Sequence, residues 1–383
     1  MLMVLMGCTM FVAAKKDEEK VRCIVLFKDN IDKKLVEDNN GEVLDTYDII
    51  PGLVAEMTKS DIKELKKSEK VKSVEEDGQA EILGDGSGEG KGAGGNPPVQ
   101  QEKVDWGVDR IDADAVWDTV NSIGYGKDVK VAVFDTGIDK DHPDLVVAGG
   151  VNYIVNKGKI DPNAWDDDNG HGTHCAGIIA AQHNGKGIKG IAPSVKLYAV
   201  KVMNKLGNGW YSDFIKGLDW AKHNGIKVVS MSFGGSGYDG AFDAACSGAM
   251  VTGIILIAAA GNTGTNSVLY PAKFGSVMAI SSVDSSSKIA ATSAYGPEID
   301  LAAPGVSIYS TYNNGGYATM SGTSMACPHV AGTAAQILGE HGSLSVDNLI
   351  GVLIAQGEDL GTLGRDDFYG HGLVDAQAAY NSV

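Results

Sequence analysis

Three polar side chains in the sequence have surroundings that suit a nucleophile, a base and a carboxylate. Asp135 ends the apolar run VAVFD and is followed by a Thr-Gly turn. His171 stands between two glycines, which leave an imidazole room to meet a substrate. Ser324, in SGTSMACPHVAG, falls at the predicted first turn of a helix. A serine hydroxyl needs an adjacent base, and that base needs an orienting carboxylate, so the sequence contains the groups for nucleophilic acyl transfer.

Each of these residues, taken alone, has a simpler structural interpretation. An Asp that opens a turn usually accepts backbone N–H bonds, and a Gly-Thr-Ser sequence usually caps a helix. His174, three residues after His171, is interpreted as a structural histidine. The stretch IILIAAAGNTG ends a buried strand at Asn262, whose amide group is able to donate a hydrogen bond to an oxyanion.

The elements that would position these side chains alternate along the chain beyond residue 100. Buried-looking strand patterns are separated by helical patterns near Cys175, Ile215, Ala244 and His329. This alternation predicts an α/β fold with a mostly parallel sheet, helices on both faces and active groups at the carboxyl ends of strands. The strands are predicted at residues 129–134, 196–202, 227–232, 254–259 and 277–283.

The charge-dense first part of the chain forms a second module. Its predicted order is βαββαβ, a small α+β ferredoxin-like fold. Residues 84–100 are rich in glycine and lack apolar periodicity, which predicts a flexible linker. The strands are predicted at residues 21–27, 43–49, 53–57 and 71–74, and the helices at residues 31–38 and 59–67.

Composition and termini limit the classes of function. The chain has 383 residues, with 32 basic and 49 acidic side chains, and the net charge of −17 argues against a nucleic-acid partner. Residues 1–14 are apolar, end in small residues and are too short to span a bilayer, so they are interpreted as a signal-peptide remnant. Secretion is therefore predicted, with a lipoprotein processed at Cys8 or an intracellular enzyme as alternatives. The 5 cysteines lack zinc-like spacing and are predicted to be mostly buried.

The motifs HGTHCAG and SGTSMACPHVAG, together with DTG and AGN, resemble those of the subtilisin-like serine proteases, the subtilases of the subtilisin and proteinase K type. The resemblance extends over residues 101–379. It implies a subtilisin-like three-layer fold and a secreted, monomeric endopeptidase that acts on protein and peptide substrates. It also implies that Asp135 orients His171, that His171 takes the proton of Ser324, and that Asn262 and the Ser324 N–H bind the oxyanion.

The same resemblance implies that substrate binds as an added strand between two edges of the protease, at residues 206–209 and 232–235. A broad preference for apolar side chains before the scissile bond is expected. Phe233 is expected to wall this first pocket, and Leu269 to make it shallow. The substrate-binding residues implied are Gly207, Asn208, Gly209, Ser232, Phe233, Gly234 and Leu269.

A structural calcium ion is also implied by the resemblance. The proposed ligands are all oxygen atoms, which suits a hard cation. A simple turn at Asn184-Gly185 is the alternative interpretation of the loop. The side-chain ligands would come from Glu102, Asp144 and Asn184, and main-chain carbonyls from Gln182, Lys186 and Ile188.

The N-terminal module resembles the family's inhibitory prodomain, which assists folding and then blocks the cleft. Self-cleavage after Leu83 is predicted, with Leu83 in the first pocket and Ala80 in the fourth. Two alternatives are a protease-like scaffold without turnover and a module that inhibits proteases in trans. The predicted division is a signal-peptide remnant at 1–14, a prodomain at 15–83, a linker at 84–100 and a peptidase domain at 101–383.

Overall fold

The computed structural model describes residues 18–83, 101–119, 125–156 and 158–383. The predicted signal-peptide remnant and the predicted linker lie outside the described residues. No helix within the described ranges is long and apolar enough to cross a membrane.

The N-terminal module is a four-stranded antiparallel sheet with two short helices, in the predicted order βαββαβ. Alternate residues of its central strand serve two cores, because successive side chains of a strand point to opposite faces. Cys23 and Val25 pack in the module's own core with Val36, whereas Ile24 and Leu26 join a core of the larger domain. The elements are β1 (Lys20–Phe27), α1 (Lys33–Asp38), β2 (Glu42–Thr46), β3 (Gly52–Thr58), α2 (Lys59–Leu65) and β4 (Val71–Glu76).

The larger domain is built on a seven-stranded sheet in the order β14-β13-β12-β10-β6-β8-β7, and its paired strands are parallel. The five predicted strands all belong to this sheet, and two edge strands join them. The strands are β6 (Lys130–Asp135), β7 (Val147–Asn152), β8 (Lys196–Lys201), β10 (Val228–Met231), β12 (Ile255–Ala259), β13 (Met278–Val283) and β14 (Ile299–Pro304).

Helices cover both faces of this sheet, which gives the predicted three layers. One core joins α5 (His171–Ala180) and α8 (Thr323–Glu340) to one face of the sheet. The other core joins α6 (Tyr211–Asn224) and α7 (Gly240–Val251) to the opposite face. The remaining elements are α3 (Trp106–Arg110), α4 (Ala113–Thr119), β15 (Ile308–Tyr312), β16 (Gly316–Met320), α9 (Val346–Ala355) and α10 (Ala376–Asn381).

A separate three-stranded sheet joins the two modules. Its middle strand, β5 (Gln79–Ile82), belongs to the tail of the N-terminal module. The outer strands, β9 (Asn208–Trp210) and β11 (Phe233–Gly234), belong to the larger domain. Strand β5 is antiparallel to both, so the tail of the module lies between two edges of the larger domain.

The N-terminal module packs on α6 and α7 through the turn after β2. The strand was predicted to run to residue 49, but it ends at Thr46. The N–H groups of Asp48 and Ile49 instead donate to the carboxylate of Asp219 in α6. A contact between domains thus replaces the last predicted strand pairs. A local sequence pattern does not reveal such a contact.

Candidate active site

Asp135 and His171 are joined by hydrogen bonds inside the protein. Asp135 is the last residue of β6 and His171 the first of α5, and both are fully buried. Nδ1 of His171 lies 2.8 and 2.9 Å from the two carboxylate oxygens of Asp135. Gly172 permits this approach, because a Cβ there would collide with the carbonyl oxygen of Gly137. The other ring nitrogen, Nε2, is buried and has no hydrogen-bond partner among the described residues.

Asp167 fixes the turn that leads into His171, a role that the sequence pattern did not predict. One of its carboxylate oxygens accepts the N–H groups of Asn169 and Gly170, both at 2.9 Å. The other accepts the Thr173 N–H at 3.0 Å and its hydroxyl at 2.6 Å. Its position four residues before the histidine, among three consecutive aspartates, was the available signal.

Ser324 is the second residue of α8 and is fully buried. Its hydroxyl donates to the carbonyl oxygen of Ser232 at 2.8 Å, so in this structure it is not hydrogen-bonded to His171. Its N–H belongs to the first turn of the helix, where backbone donors lack intrahelical acceptors. That N–H donates instead to the carbonyl oxygen of Leu83 at 3.3 Å.

Asn262 provides a second donor to the same carbonyl oxygen. Its Nδ2 lies 2.5 Å from the oxygen of Leu83. Its Oδ1 accepts the N–H and the hydroxyl of Thr323 at 2.9 and 3.0 Å, which fixes the orientation of the amide. The structure therefore brings one peptide carbonyl of the N-terminal module between two N–H donors, next to the buried serine.

Backbone hydrogen bonds hold the tail of the N-terminal module along both edges. The Ile82 N–H donates to Gly207 at 2.9 Å, and the Leu83 N–H donates to Ser232 at 3.2 Å. In the strand register, Glu81 pairs with Asn208 on one side and Gly234 on the other. Of the predicted edges at residues 206–209 and 232–235, residues 207–209 and 232–234 thus lie along this tail.

The side chain of Leu83 is buried against Leu269 and Gly234. A Cβ at Gly234 would lie 2.9 Å from both Leu83 Cδ1 and Leu269 Cβ, so only glycine leaves room there. Leu83, Asn262 and Leu269 border a cavity of about 740 Å³. The side chain of Leu83 therefore enters a pocket that Leu269 narrows.

The Phe233 ring lies elsewhere than expected. It stacks on Phe214 at 4.2 Å between ring centroids and belongs to the buried cluster that contains Ala80 and Tyr211. Leu83 belongs to the other core. Successive residues of a strand point to opposite faces, so Gly234 and not the Phe233 ring faces Leu83.

Asp144, one of the six predicted calcium ligands, has a buried carboxylate to which two of the other five ligand residues donate hydrogen bonds. Asn184 Nδ2 lies 3.1 Å from its Oδ1, and the Ile188 N–H donates to its Oδ2 at 3.1 Å. Burial raises the pKa of Asp144 to about 6. Bridges from Gln101 to Lys186 and from Lys103 to Ile188 hold Glu102 beside the loop, where it accepts the Gly185 N–H at 2.8 Å.

The donor chemistry of this loop fits a hard cation. It combines two carboxylates, an amide and main-chain carbonyls, all of which are oxygen donors. Gln182 would contribute its main-chain carbonyl, because its side-chain amide donates to the carbonyl oxygens of Ala180 and Pro193. Gly187 has a φ of 60°, and a Cβ there would lie 2.5 Å from Asp144 Oδ2. The absence of a side chain at Gly187 thus lets the loop pass close to Asp144 Oδ2, which also accepts the Tyr317 hydroxyl at 3.2 Å.

Buried histidines and cysteines near the site have structural roles. Nε2 of His174 lies 3.1 Å from two backbone carbonyls, and burial lowers the pKa of this histidine to about 3. Cys23, Cys175, Cys246 and Cys327 are all buried and free. Burial raises the pKa of the Cys327 thiol to about 11, so it remains protonated at neutral pH.

Comparisons with known proteins agree with this geometry. The family model of the subtilase family matches residues 126–372, and that of peptidase inhibitor I9 matches residues 13–82. A thermostable alkaline protease of Halalkalibacterium halodurans is 38% identical over 96% of this chain and 94% of its own length. Subtilisin NAT of Bacillus subtilis subsp. natto is 39% identical over 96% and 92% of the two chains. Subtilisin DY of Bacillus licheniformis is 43% identical over 73% of this chain and 99% of its own length.

The fold and the site thus define a serine endopeptidase, an enzyme that hydrolyses peptide bonds. This chain belongs to the subtilase family. Its N-terminal module is an inhibitor I9 prodomain, an intramolecular inhibitor, and its substrates are peptides.

Proposed function

We propose that Asp135, His171 and Ser324 are the catalytic triad, and that Asn262 and the Ser324 N–H form the oxyanion hole. The observation that carries this proposal is the pair of hydrogen bonds to the Leu83 carbonyl, from Asn262 Nδ2 at 2.5 Å and from the Ser324 N–H at 3.3 Å. Donors fixed around one carbonyl oxygen stabilise the negative charge that develops there during acyl transfer.

In the first step the Ser324 hydroxyl turns from Ser232 to Nε2 of His171 and gives up its proton as its oxygen attacks the substrate carbonyl. Asp135 accepts a hydrogen bond from Nδ1–H, which leaves Nε2 free to accept that proton and stabilises the imidazolium. His171 then protonates the leaving amine. The acyl group remains on Ser324 until water, activated by the same histidine, releases it.

We propose that the first substrate of this site is the chain itself, cut after Leu83. The Leu83 carbonyl receives both oxyanion donors, while strand β5 fills the cleft as a substrate would. After cleavage the prodomain would remain bound as a product, held by the same strand pairs. The enzyme would therefore be made as a zymogen whose own prodomain inhibits it.

The proposed preference before the scissile bond is broad and apolar, for side chains of medium size. Leu83 is buried against Leu269, whose side chain narrows the pocket. Asp166 and Asp168 form ion pairs with Lys140 and Lys201, and neither aspartate borders the cavity at Leu83.

A calcium ion is the proposed stabiliser of the loop at residues 182–188. Glu102, Asp144 and Asn184, with the carbonyls of Gln182, Lys186 and Ile188, would hold it. When bound, the ion would neutralise the buried carboxylate and tie the start of the peptidase domain to the loop. Its role is structural, and no step of the reaction passes through it.

The domain division 1–14, 15–83, 84–100 and 101–383, secretion and the monomeric state also remain proposals. The I9 match to residue 82 and the end of β5 at Ile82 support a boundary after Leu83. The apolar residues 1–14 support secretion.

A fluorophosphonate that labels activated serines tests the assignment of the nucleophile. The processed enzyme should take up one label on Ser324, located by peptide mass spectrometry. With the prodomain removed by an added protease, His171→Ala should slow labelling by orders of magnitude, and Ser324→Ala should abolish it. Labelling at another serine, or labelling of His171→Ala at the wild-type rate, would refute the triad.

A further inference from the structure

The prodomain places an acidic residue at the start of each of two helices in the peptidase domain. Glu75 Oε2 accepts the Gly240 N–H of α7 at 3.0 Å, and Asp77 Oδ1 accepts the Ser212 N–H of α6 at 3.0 Å. Carboxylates favour helix starts, where N–H groups and the helix dipole are positive. These two contacts therefore help to hold the prodomain in place.

Each of these helix starts already has an acid of its own. Asp239 caps α7 by accepting the N–H groups of Ala241 and Phe242 at 3.0 and 2.8 Å. Asp213 lies in the first turn of α6. Prodomain docking thus brings carboxylates together in two places, Glu75 with Asp239 and Asp77 with Asp213.

A cation compensates only one of these pairs. Arg22 lies 2.8 Å from Asp77 and 2.6 Å from Asp213, between the two carboxylates. Within the described part of the chain, neither Glu75 nor Asp239 forms a salt bridge. Asp239 is 2% exposed, and its Oδ2 has no hydrogen-bond partner among the described residues.

An unpaired buried carboxylate beside a second carboxylate strongly favours a bound proton. Burial, and after it the charges of Glu75 and Asp77, raises the pKa of Asp239 to about 7. Tyr47 from the prodomain and Tyr211 from α6 also face Asp239, and burial keeps both phenols neutral by raising their pKa. On its own helix Asp243 accepts a hydrogen bond from Tyr238. None of these groups brings a positive charge.

We propose that the contact between Asp239 and Glu75 makes release of the cleaved prodomain depend on pH, with retention while the pair holds a proton and release as it ionises. This inference rests on the proposed self-cleavage. The proton is lost when the domains separate, because Asp239 becomes solvated and Glu75 and Asp77 leave.

Proton linkage determines whether the affinity for the prodomain rises or falls with pH. The complex binds more protons than the separated domains at any pH between the ordinary carboxyl pKa and about 7. Affinity is therefore greatest at low pH and is lost as the pH rises through that range. One linked proton changes the dissociation constant by up to about tenfold per pH unit. Asp213, whose pKa burial raises to about 6, adds dependence of the same sign at lower pH.

The test follows processed wild type and Asp239→Ser, because serine is an equally good helix cap without a charge. The chains are refolded, cleavage is checked by mass, and the lag before peptide hydrolysis is timed from pH 5.5 to 8.5. In wild type the lag should shorten by about tenfold per pH unit up to pH 7. In Asp239→Ser it should be long and nearly independent of pH between 6.5 and 8.5. Glu75→Gln, which keeps the acceptor for Gly240, should weaken the pH dependence without abolishing it, because burial and Asp77 still raise the pKa of Asp239.

Asp347→Asn is the matched control, an exposed acid in the first turn of α9, and should follow wild type. Chains that remain uncut would refute the proposed self-cleavage. Cleaved chains whose lag has the same pH dependence in wild type and Asp239→Ser would overturn the proton inference alone. A lag that follows the concentration of added calcium or potassium, and not pH, would also overturn it.

Discussion

The carbonyl oxygen of Leu83 lies 2.5 Å from Nδ2 of Asn262, although the two residues belong to different domains. The residue that follows the prodomain strand β5 therefore occupies the place where a scissile peptide would be polarised. Because Thr323 fixes the Asn262 amide from the other side, this donor is oriented before any substrate arrives.

Replacing this donor should slow the chemical step and leave substrate binding nearly unchanged. Asn262→Ala is expected to lower kcat by about 10²- to 10³-fold, a magnitude that comes from a subtilisin, a member of this same family. The peptide edges at residues 207–209 and 232–234 remain, so KM should change little. Steady-state kinetics on a peptide amide measure both, and a loss mainly in KM would contradict the role.

Leu269 should limit the size of the side chain accepted before the scissile bond. Leu269→Gly is expected to raise kcat/KM for Phe relative to Leu at that position by about tenfold or more, since one methylene in a hydrophobic pocket is worth about 1–3 kcal/mol. A peptide series that differs only at this position provides the measurement. Leu363→Gly, at a leucine that is 94% exposed, should leave the ratio unchanged.

Calcium should stabilise the protein through Asp144. In an inactive Ser324→Ala background, removing calcium with a chelator is expected to lower Tm by roughly 5–10 °C. Asp144→Asn should abolish most of that difference, whereas Asp141→Asn, at an exposed acid three residues earlier, should retain it. Equal chelator sensitivity in both variants would place the ion elsewhere.

His329 should make the fold sensitive to acid. It is fully buried, Nδ1 lies 2.7 Å from the Met325 carbonyl, and burial lowers its pKa to about 4. The unfolded chain takes up this proton near pH 6.5, so the stability due to neutral His329 is complete above that pH and is lost as pH falls towards 4.

His329→Asn is therefore expected to be less stable overall, but with a smaller loss of stability between pH 6.5 and 4.5. The difference in slope should approach 1.4 kcal/mol per pH unit, the value for about one proton. Denaturant unfolding of both proteins in the Ser324→Ala background measures it. Parallel pH dependence would show that His329 titrates in the native state as it does in the unfolded chain.

The sequence predicted those elements whose pattern is local. Residues 129–134 and 254–259 are continuous apolar runs between turns, which is typical of central parallel strands, and both lie in the sheet. Strand β7, with the sequence VAGGVN, was missed because two glycines interrupt its apolar pattern. Strand β14 was missed because its polar second residue and its terminal proline interrupt the apolar pattern expected of a strand.

Features that depend on contacts between distant residues could not be predicted. The role of Asp167 depends on five donors, from Thr136 and from the residues around His171. The end of β2 depends on Asp219 in another domain. The direction of the Phe233 ring depends on which face of a two-residue strand meets the prodomain. Motif matching placed this ring in the first pocket, but its stacking on Phe214 places it with Ala80.

The most direct test of self-cleavage by the triad is the intact mass and end sequencing of wild type and Ser324→Ala, each refolded with calcium. Wild type should yield an N-terminal fragment ending at Leu83, even if the other fragment is trimmed further. Ser324→Ala should remain one chain of 383 residues. A wild-type cut N-terminal to Ala80, an uncut wild type, or equal cutting of Ser324→Ala would contradict the account.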